Sequence, residues 1–449
     1  MIKAGNQIDW YLSNFEIFQR SLNGEAGSHI HAIRKAAIAR FAELGFPTTR
    51  DEDWKYTDVA PLTKVQFEPV LNYALNGVST RDVERLTFGQ KWARLVCVNG
   101  HFSKELSSAS SLRRSGRGLW IGSLAEAMKS ASGILEQHLT QHARYDENAF
   151  SALSAAFLLD GVYVFIPDKT ILKEPIQLLF ISTGAEAKFV SFPRTLVVVG
   201  NNSQVSLIET HVALEDNVYF SNAVSEIVIG ENSVVEYDVL EDESERSFHI
   251  GNTHVYQERN STYTSNAVSY SGALVRNNVT AVLDGEGAEC TLNGLYVVAD
   301  EQHVDNHTTI DHAKPHCNSH ELYKGILAGK SKGVFNGKIL VRKDAQKTDA
   351  KQTNKNLVLS DDATMDTKPQ LEIFANDVKC THGATIGQLD EEATFYLRTR
   401  GLGLETARDV LTNAFASDVI NRIQPPSLRD WLNVNLLIRL QRAREKKEM

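Results

Sequence analysis

The chain has 449 residues, with 47 Lys and Arg against 56 Asp and Glu and a formal net charge of −9. At about 150 residues per domain, that length allows roughly three domains or one long repetitive core with appendages. An apolar fraction of 42% beside 23% charged residues excludes wholesale disorder. The acidic balance, with no basic stripe, excludes a dedicated nucleic-acid binder. No apolar run approaches the ~18 residues that would span a bilayer. The start, Met1 to Asp9, lacks the apolar core of a signal peptide, so a soluble cytoplasmic protein is expected. Cys97, Cys290, Cys317 and Cys380 form no Cys-x-x-Cys pair. Neither a zinc ribbon, a thioredoxin-like site nor a disulfide framework is indicated.

The first 60 residues read as helical. Ile8, Tyr11, Leu12, Phe15, Phe18 and Leu22 repeat at the spacing of one buried helix face, and Ile30, Ile33, Ala37, Phe41 and Leu44 make a second. A polar stretch with two aromatics follows, Phe46 to Thr57. Ser123 with Glu126 forms a capping-box pattern ahead of the stripe Leu124, Ala127, Met128, Ala131, Leu135 and Leu139. Residues 1–158 are therefore expected to be an N-terminal helical region.

From about Gly161 the period changes to short runs rich in Val, Ile, Leu, Phe and Tyr, separated by Gly, Asn, Asp and Ser. Val162–Ile166, Leu178–Ile181, Leu196–Val199, Glu226–Ile229 and Leu295–Val298 are examples. An internal repeat accounts for the length of this region. Gly200-Asn-Asn-Ser-Gln-Val205 is echoed by Gly230-Glu-Asn-Ser-Val-Val235, and more weakly at Asn260 and Gly287. Aligned on the small residue, positions 203, 233, 261 and 288 are separated by 30, 28 and 27 residues. A strand-only repeat of this length points to a solenoid, and propeller blades need a longer one, about 40 to 45 residues. A parallel β-helix over 159–390 is predicted.

Past Asp390 the helical period returns, with Leu404, Ala407, Leu411, Ala414 and Phe415 on one face. Pro425-Pro426 breaks the run, and Ser427 opens a last helix with the stripe Leu428, Trp431, Leu432, Leu436 and Leu440. Residues 391–449 are expected to be a C-terminal helical domain. The fold class is thus mainly β, with a solenoid core between two helical ends.

Candidate chemistry is sparse. Gly325 to Ser331 resembles a phosphate loop, but only three residues separate its glycines where four are needed. His303, His307, His312, His316 and His320 fall within 18 residues, together with Cys317, Asp305 and Asp311. On a strand, His303, Asp305 and His307 would share a face. A zinc or iron site and a polar solenoid surface both fit that pattern. Lys379-Cys380-Thr-His382-Gly383 is sharper, because an extended chain puts Cys380 and His382 on one face. Thiol and imidazole make a soft-metal pair or a nucleophile and base, but no glycine elbow or oxyanion donor accompanies them.

The runs Val334 to Val341, Ala345 to Ser360, Thr367 to Thr385 and Phe395 to Gly401 closely resemble the SufB/SufD family of SUF iron–sulfur cluster assembly scaffolds. His303-Val-Asp-Asn306 and Asp53-Trp-Lys-Tyr-Thr57 extend the resemblance over most of the chain. Within the family the likeness is to the SufD branch. The stretch Thr348 to Asn356, where SufB carries a cluster-building cysteine, has none, and Gly383 replaces the Glu that follows the histidine in SufB. The resemblance implies a right-handed parallel β-helix between helical ends and a non-catalytic scaffold. It implies pairing with SufB through the cores, and docking of the ABC-type ATPase SufC on the C-terminal helices at Thr406, Asp409, Val410 and Phe415. His382 would serve at the SufB–SufD interface where iron enters and a nascent cluster is built, with Cys380 as its neighbour. No cofactor is expected to stay tightly bound to the isolated chain, which the core-pairing edge also allows to dimerise. The alternatives are an autonomous metal-binding β-helix protein using the 303–320 histidines, and a solenoid polysaccharide lyase or hydrolase built on Asp305, Asp311 and Glu321.

Overall fold

The structure is a computed structural model that describes residues 4–22, 28–109, 118–130, 133–184 and 188–448. Its core is a parallel β-solenoid. Successive strands alternate between two sheets, so each turn of the chain adds one strand to each. Sheet one runs from Trp120–Ser123 to Thr364–Ile373, and sheet two from His101–Ser108 to Lys379–Gly387.

The sequence repeat is the pairing register of sheet two. Gln204 pairs with Val234, Val234 with Thr262, and Thr262 with Glu289, which are the predicted steps of 30, 28 and 27 residues. The echoed Asn-Ser motif is the turn between sheets. Asn202, Asn232 and Asn260 adopt φ of 56°, 56° and 53°, a left-handed conformation that Asn tolerates better than most residues. The following serines are buried and stitch one turn to the next. The Ser233 hydroxyl donates to the Gly200 carbonyl (2.7 Å) and accepts from the Ser203 N–H (2.9 Å).

Side chains at alternate positions fill the bore. Val197, Leu207, Val235, Val255, Tyr263, Leu292, Tyr323 and Phe335 belong to one continuous buried cluster. The helical ends cover the two outer faces. Helices Ala4–Ser21 and His29–Leu44, with Ala149–Ala156, pack Tyr11, Phe18, Phe41, Phe150 and Leu153 onto Phe220, Phe248, Ile250 and Leu274 of sheet one. Ser28 caps the second helix by accepting from the His31 N–H. Helices Leu404–Ile420 and Pro426–Glu448 pack Ala416, Val419, Ile420, Leu428 and Leu432 onto Ile208, Leu240, Leu295 and Ile326 of sheet two.

Polar anchors fix the C-terminal helices. The Lys324 ammonium donates to the Phe415 carbonyl (2.8 Å) and pairs with Asp418, 4.2 Å above the Phe415 ring. Arg422 donates to Asn293 (3.0 Å), which ends a cross-strand ladder through Asn266 to Asp238.

Two N-terminal details differ from the sequence reading. The expected stripe from Leu124 to Leu139 is two short helices, Leu124–Lys129 and Gly133–His138, and its Ala131 lies outside the described residues. The region 1–158 is also not helical throughout. Ala93–Val98 joins sheet two parallel to Ile176–Ser182 and folds back antiparallel onto His101–Ser108. Trp120–Ser123 lies antiparallel to Val162–Ile166. These strands close the first turn of the solenoid, and their short alternation is hidden in sequence between helical segments.

The far end is open. Among the described residues, no strand continues sheet one beyond Thr364–Ile373 or sheet two beyond Lys379–Gly387.

Candidate functional site

The open end carries Cys380 and His382. Both lie on the edge strand Lys379–Gly387, paired in register with Ala350 and Gln352. Ala350, Gln352, Asn354 and Asn356 are buried and face the bore. Strand alternation therefore places Cys380, His382, Ala384 and Ile386 over the bore's mouth. His382 is exposed. Cys380 is half-buried against Ala345, Ala350 and Ala375, and burial pushes its thiol pKa up, which favours the protonated thiol. Cys380 and His382 thus share a face as expected, in different environments.

The floor of the mouth is polar. Gln352 donates to Glu321 (2.7 Å), whose carboxyl burial raises to about 7. Asn356 donates to Asn354 (2.6 Å) and accepts from the Tyr296 hydroxyl (2.6 Å). Thr367, from the edge strand of sheet one, closes the ring onto Asn354 (2.9 Å). Exposed Ile373, Phe374 and Ile386 rim this end, and Phe395 and Tyr396 project from the adjacent helix Glu391–Thr399. Unpaired backbone beside exposed apolar side chains is a template for a further chain.

The histidine cluster is divided. His303, Asp305 and His307 do share the outer face of strand His303–His312. Asp305 is fully buried and committed to the Arg276 guanidinium at 2.9 Å, with His307 Nε2 at 3.0 Å. The Thr57 hydroxyl donates to Asp305 and lies 3.1 Å from His303 Nε2. Burial raises the Asp305 pKa, but Arg276, His307 and Thr57 outweigh it and hold the carboxyl well below the usual range. His312 points the other way, into the bore, where its Nε2 meets the Ser319 hydroxyl at 2.9 Å. His316 occupies a turn at φ 59°, Cys317 is buried beside the Gly285 carbonyl, and His320 is exposed on sheet two. The four-residue spacing that would align 312, 316 and 320 on a helix scatters them over a strand, a turn and a second strand. Among the described residues, no three His, Cys, Asp or Glu side chains converge on a metal-sized site.

The same strand predicts acid sensitivity. Burial pushes both His303 and His312 down to about 4, against about 6.5 in an unfolded chain. A depressed histidine stabilises fully above its unfolded pKa and loses that contribution as pH falls toward the folded value. Each should cost about 2 kcal/mol by pH 5. His249 does not offset this. Burial lowers its pKa, but Glu243 and Glu241 raise it to about 9, so its contribution is already complete below about pH 6.5. The buried carboxyls of Glu321 and Asp238, raised to about 7, work in the opposite direction over the same range, so the histidines are read directly. The ring resonances of His303 and His312 should show no protonation between pH 7 and pH 5, and titration of either near pH 6.5 would contradict the neutral assignment.

Sequence reasoning missed a polar group inside the bore. Glu209 holds His211 (2.8 Å) and Tyr237, and Glu243 holds His249 (2.6 Å) and Tyr219 (3.0 Å). The signal was present, since Glu209 and His211 continue the inward positions of Val205 and Leu207.

The predicted ATPase-contact residues lie on helix Leu404–Ile420. Thr406 and Val410 are exposed, while Asp409 and Phe415 are half-buried. A groove of about 1150 Å³ separates this helix from the solenoid turns, lined by Asp300, Lys330, Ser360, Phe395, Arg398 and Arg408. Among the described residues, no helix is long and apolar enough to cross a membrane.

Residues 180–415 match the family model described as "SUF system FeS cluster assembly, SufBD core domain", and residues 6–178 match "SufBD protein N-terminal region". The chain is 35% identical to an iron–sulfur cluster assembly SufBD family protein of Synechocystis, over 92% of each chain. It is 30% identical to the iron–sulfur cluster assembly protein SufD of Escherichia coli, over 87% of this chain and 89% of that one.

Proposed function

Since the chain belongs to the SufBD family of iron–sulfur cluster assembly proteins, we propose that it is a SufD-type scaffold whose open end receives a SufB-type partner. The observation that carries this reading is the asymmetry of the solenoid. Antiparallel strands close its first turn, whereas the last presents two edge strands and a polar mouth with His382 exposed over it. A second solenoid would satisfy those edges by β-augmentation and bring its own thiolates to His382. The chain alone has too few accessible thiolates for the usual four-cysteine cluster ligation. Iron and the nascent cluster are therefore cargo, held in passing between two proteins, and the chain itself performs no catalysis.

The ATPase would dock on the C-terminal helices, at exposed Thr406 and Val410 beside the groove. Lys324, Arg422 and the buried face of those helices tie them to sheet two. Movement imposed there would reach the solenoid through packed contacts. Anaerobic affinity purification of the tagged chain from its own cells, with mass spectrometry, tests the reading. A SufB-like protein and an ABC-type ATPase are expected in near-stoichiometric amounts. Recovery of the chain alone, across salt and nucleotide conditions, would refute it.

A further inference from the structure

A second pair of histidines lies on the outer face of sheet one, apart from the open end and the 303–320 segment. Its foundation is a buried ion pair. Arg194 and Glu226 are 1% and 0% exposed, and the guanidinium donates to the carboxylate. Glu226 also accepts backbone N–H bonds from Thr140 (2.8 Å), His142 (2.9 Å) and Ala143 (3.0 Å). A carboxylate holding three N–H donors from residues 140, 142 and 143 and a guanidinium pins the turn that follows helix Gly133–His138. Thr140 adopts φ 65° to make that turn.

The pinned turn sets the geometry of His138 and His142. Their rings stack at 5.4 Å and 20°, with His138 Nδ1 3.2 Å from His142 Nε2. The Tyr256 ring backs His142 at 5.2 Å. Burial lowers both pKa values against the opposing pull of Glu226, and for His138 its neighbour's charge lowers it further, which favours the neutral form of both rings. Two neutral imidazoles can share one proton across that gap. The same gap matches two nitrogens bound about 2.05 Å from a tetrahedral cation, which stand roughly 3.3 Å apart. Both rings are partly exposed, so a cation can reach them.

We propose that His138 Nδ1 and His142 Nε2 form a two-imidazole site for a borderline divalent cation of the Fe²⁺ and Zn²⁺ class, with its other coordination positions open to water or an exchangeable ligand. Imidazole suits these ions, and two protein ligands rather than four favour exchange over permanent retention. The site does not depend on the partner reading of the open end.

The test is anaerobic titration of the untagged full chain with Co²⁺, followed by visible absorption, and with Zn²⁺, followed by calorimetry. The wild type should bind with His138 and His142 contributing. The double variant His138→Gln/His142→Gln should lose at least 30-fold in affinity, while His303→Gln and His382→Ala leave this event unchanged. Zn²⁺ should also shift the ring resonances of His138 and His142 in the wild-type NMR spectrum, a readout that needs no variant. A double variant that titrates like the wild type, or a wild type whose His138 and His142 resonances do not move at millimolar Zn²⁺, would overturn the assignment.

Discussion

Asp305→Ala should destabilise the protein by about 3–5 kcal/mol, because it strands a buried guanidinium. Arg276 is 2% exposed and lies 3.8 Å over the Trp54 ring, donating to the Asp53 carbonyl (2.7 Å) and to Asp305. Removing the carboxylate leaves the positive charge with the Trp54 face, the Asp53 carbonyl, the Asn278 amide and the field of the Asp53 carboxylate, and without its buried ion-pair partner. It also frees the Thr57 hydroxyl and the ring of His307. The variant's urea midpoint should drop sharply. The double variant Arg276→Met/Asp305→Leu should recover much of the loss, since the penalty lies in the unpaired charge. If the double variant is as unstable as the single, packing rather than charge carries the site.

The same contact has a reach beyond stability. Residues 52–57 lie across successive strands of sheet one. Arg276 takes the Asp53 carbonyl, Asp305 takes Thr57, Lys332 donates to the Tyr56 carbonyl (2.7 Å), and Lys368 pairs with Glu52. Lys368 belongs to the edge strand Thr364–Ile373. The N-terminal segment thus braces the strand that borders the open mouth. Loss of Asp305 should accordingly expose the 50–58 segment to limited proteolysis before the solenoid itself unfolds.

The architecture was legible because a solenoid writes its register into the sequence. The spacing of Ser203, Ser233 and Ser261 is a pairing distance, and Asn before each serine marks the left-handed turn. Alternation placed His303, Asp305 and His307 on one face, and Cys380 beside His382. What those residues touch was not legible. Thr57 meets Asp305 across 248 residues, and Glu226 meets Thr140 across 86, so no local period encodes either contact. The histidine density at 303–320 drew attention by composition, yet strand and turn geometry sends its members to different faces. His138 and His142, only four apart, drew none. Their significance comes from a buried carboxylate on a distant strand. The likeness between Asp53–Thr57 and His303–Asn306 and one family was visible as two separate motifs, and the fold joins them into one latch.

His382→Ala should abolish iron–sulfur cluster maturation in cells that depend on this chain, to background activity of a reporter iron–sulfur enzyme, without affecting folding or complex formation. The side chain is exposed on the edge strand and pairs through its backbone with Gln352, so its removal disturbs neither the ladder nor the bore. Substitutions at such positions usually leave stability within about 0.5 kcal/mol. The expected signature is an unchanged melting temperature, unchanged recovery of partners and lost maturation. Cys380→Ser supplies the contrast. Its thiol is half-buried against three alanines and its pKa is raised by burial, so it is poorly suited to supply a thiolate. That variant should retain most of the maturation activity. Equal losses at both positions would mean that the strand acts through its shape. Normal maturation in His382→Ala would remove the imidazole from the mechanism and leave the open end as a docking surface alone.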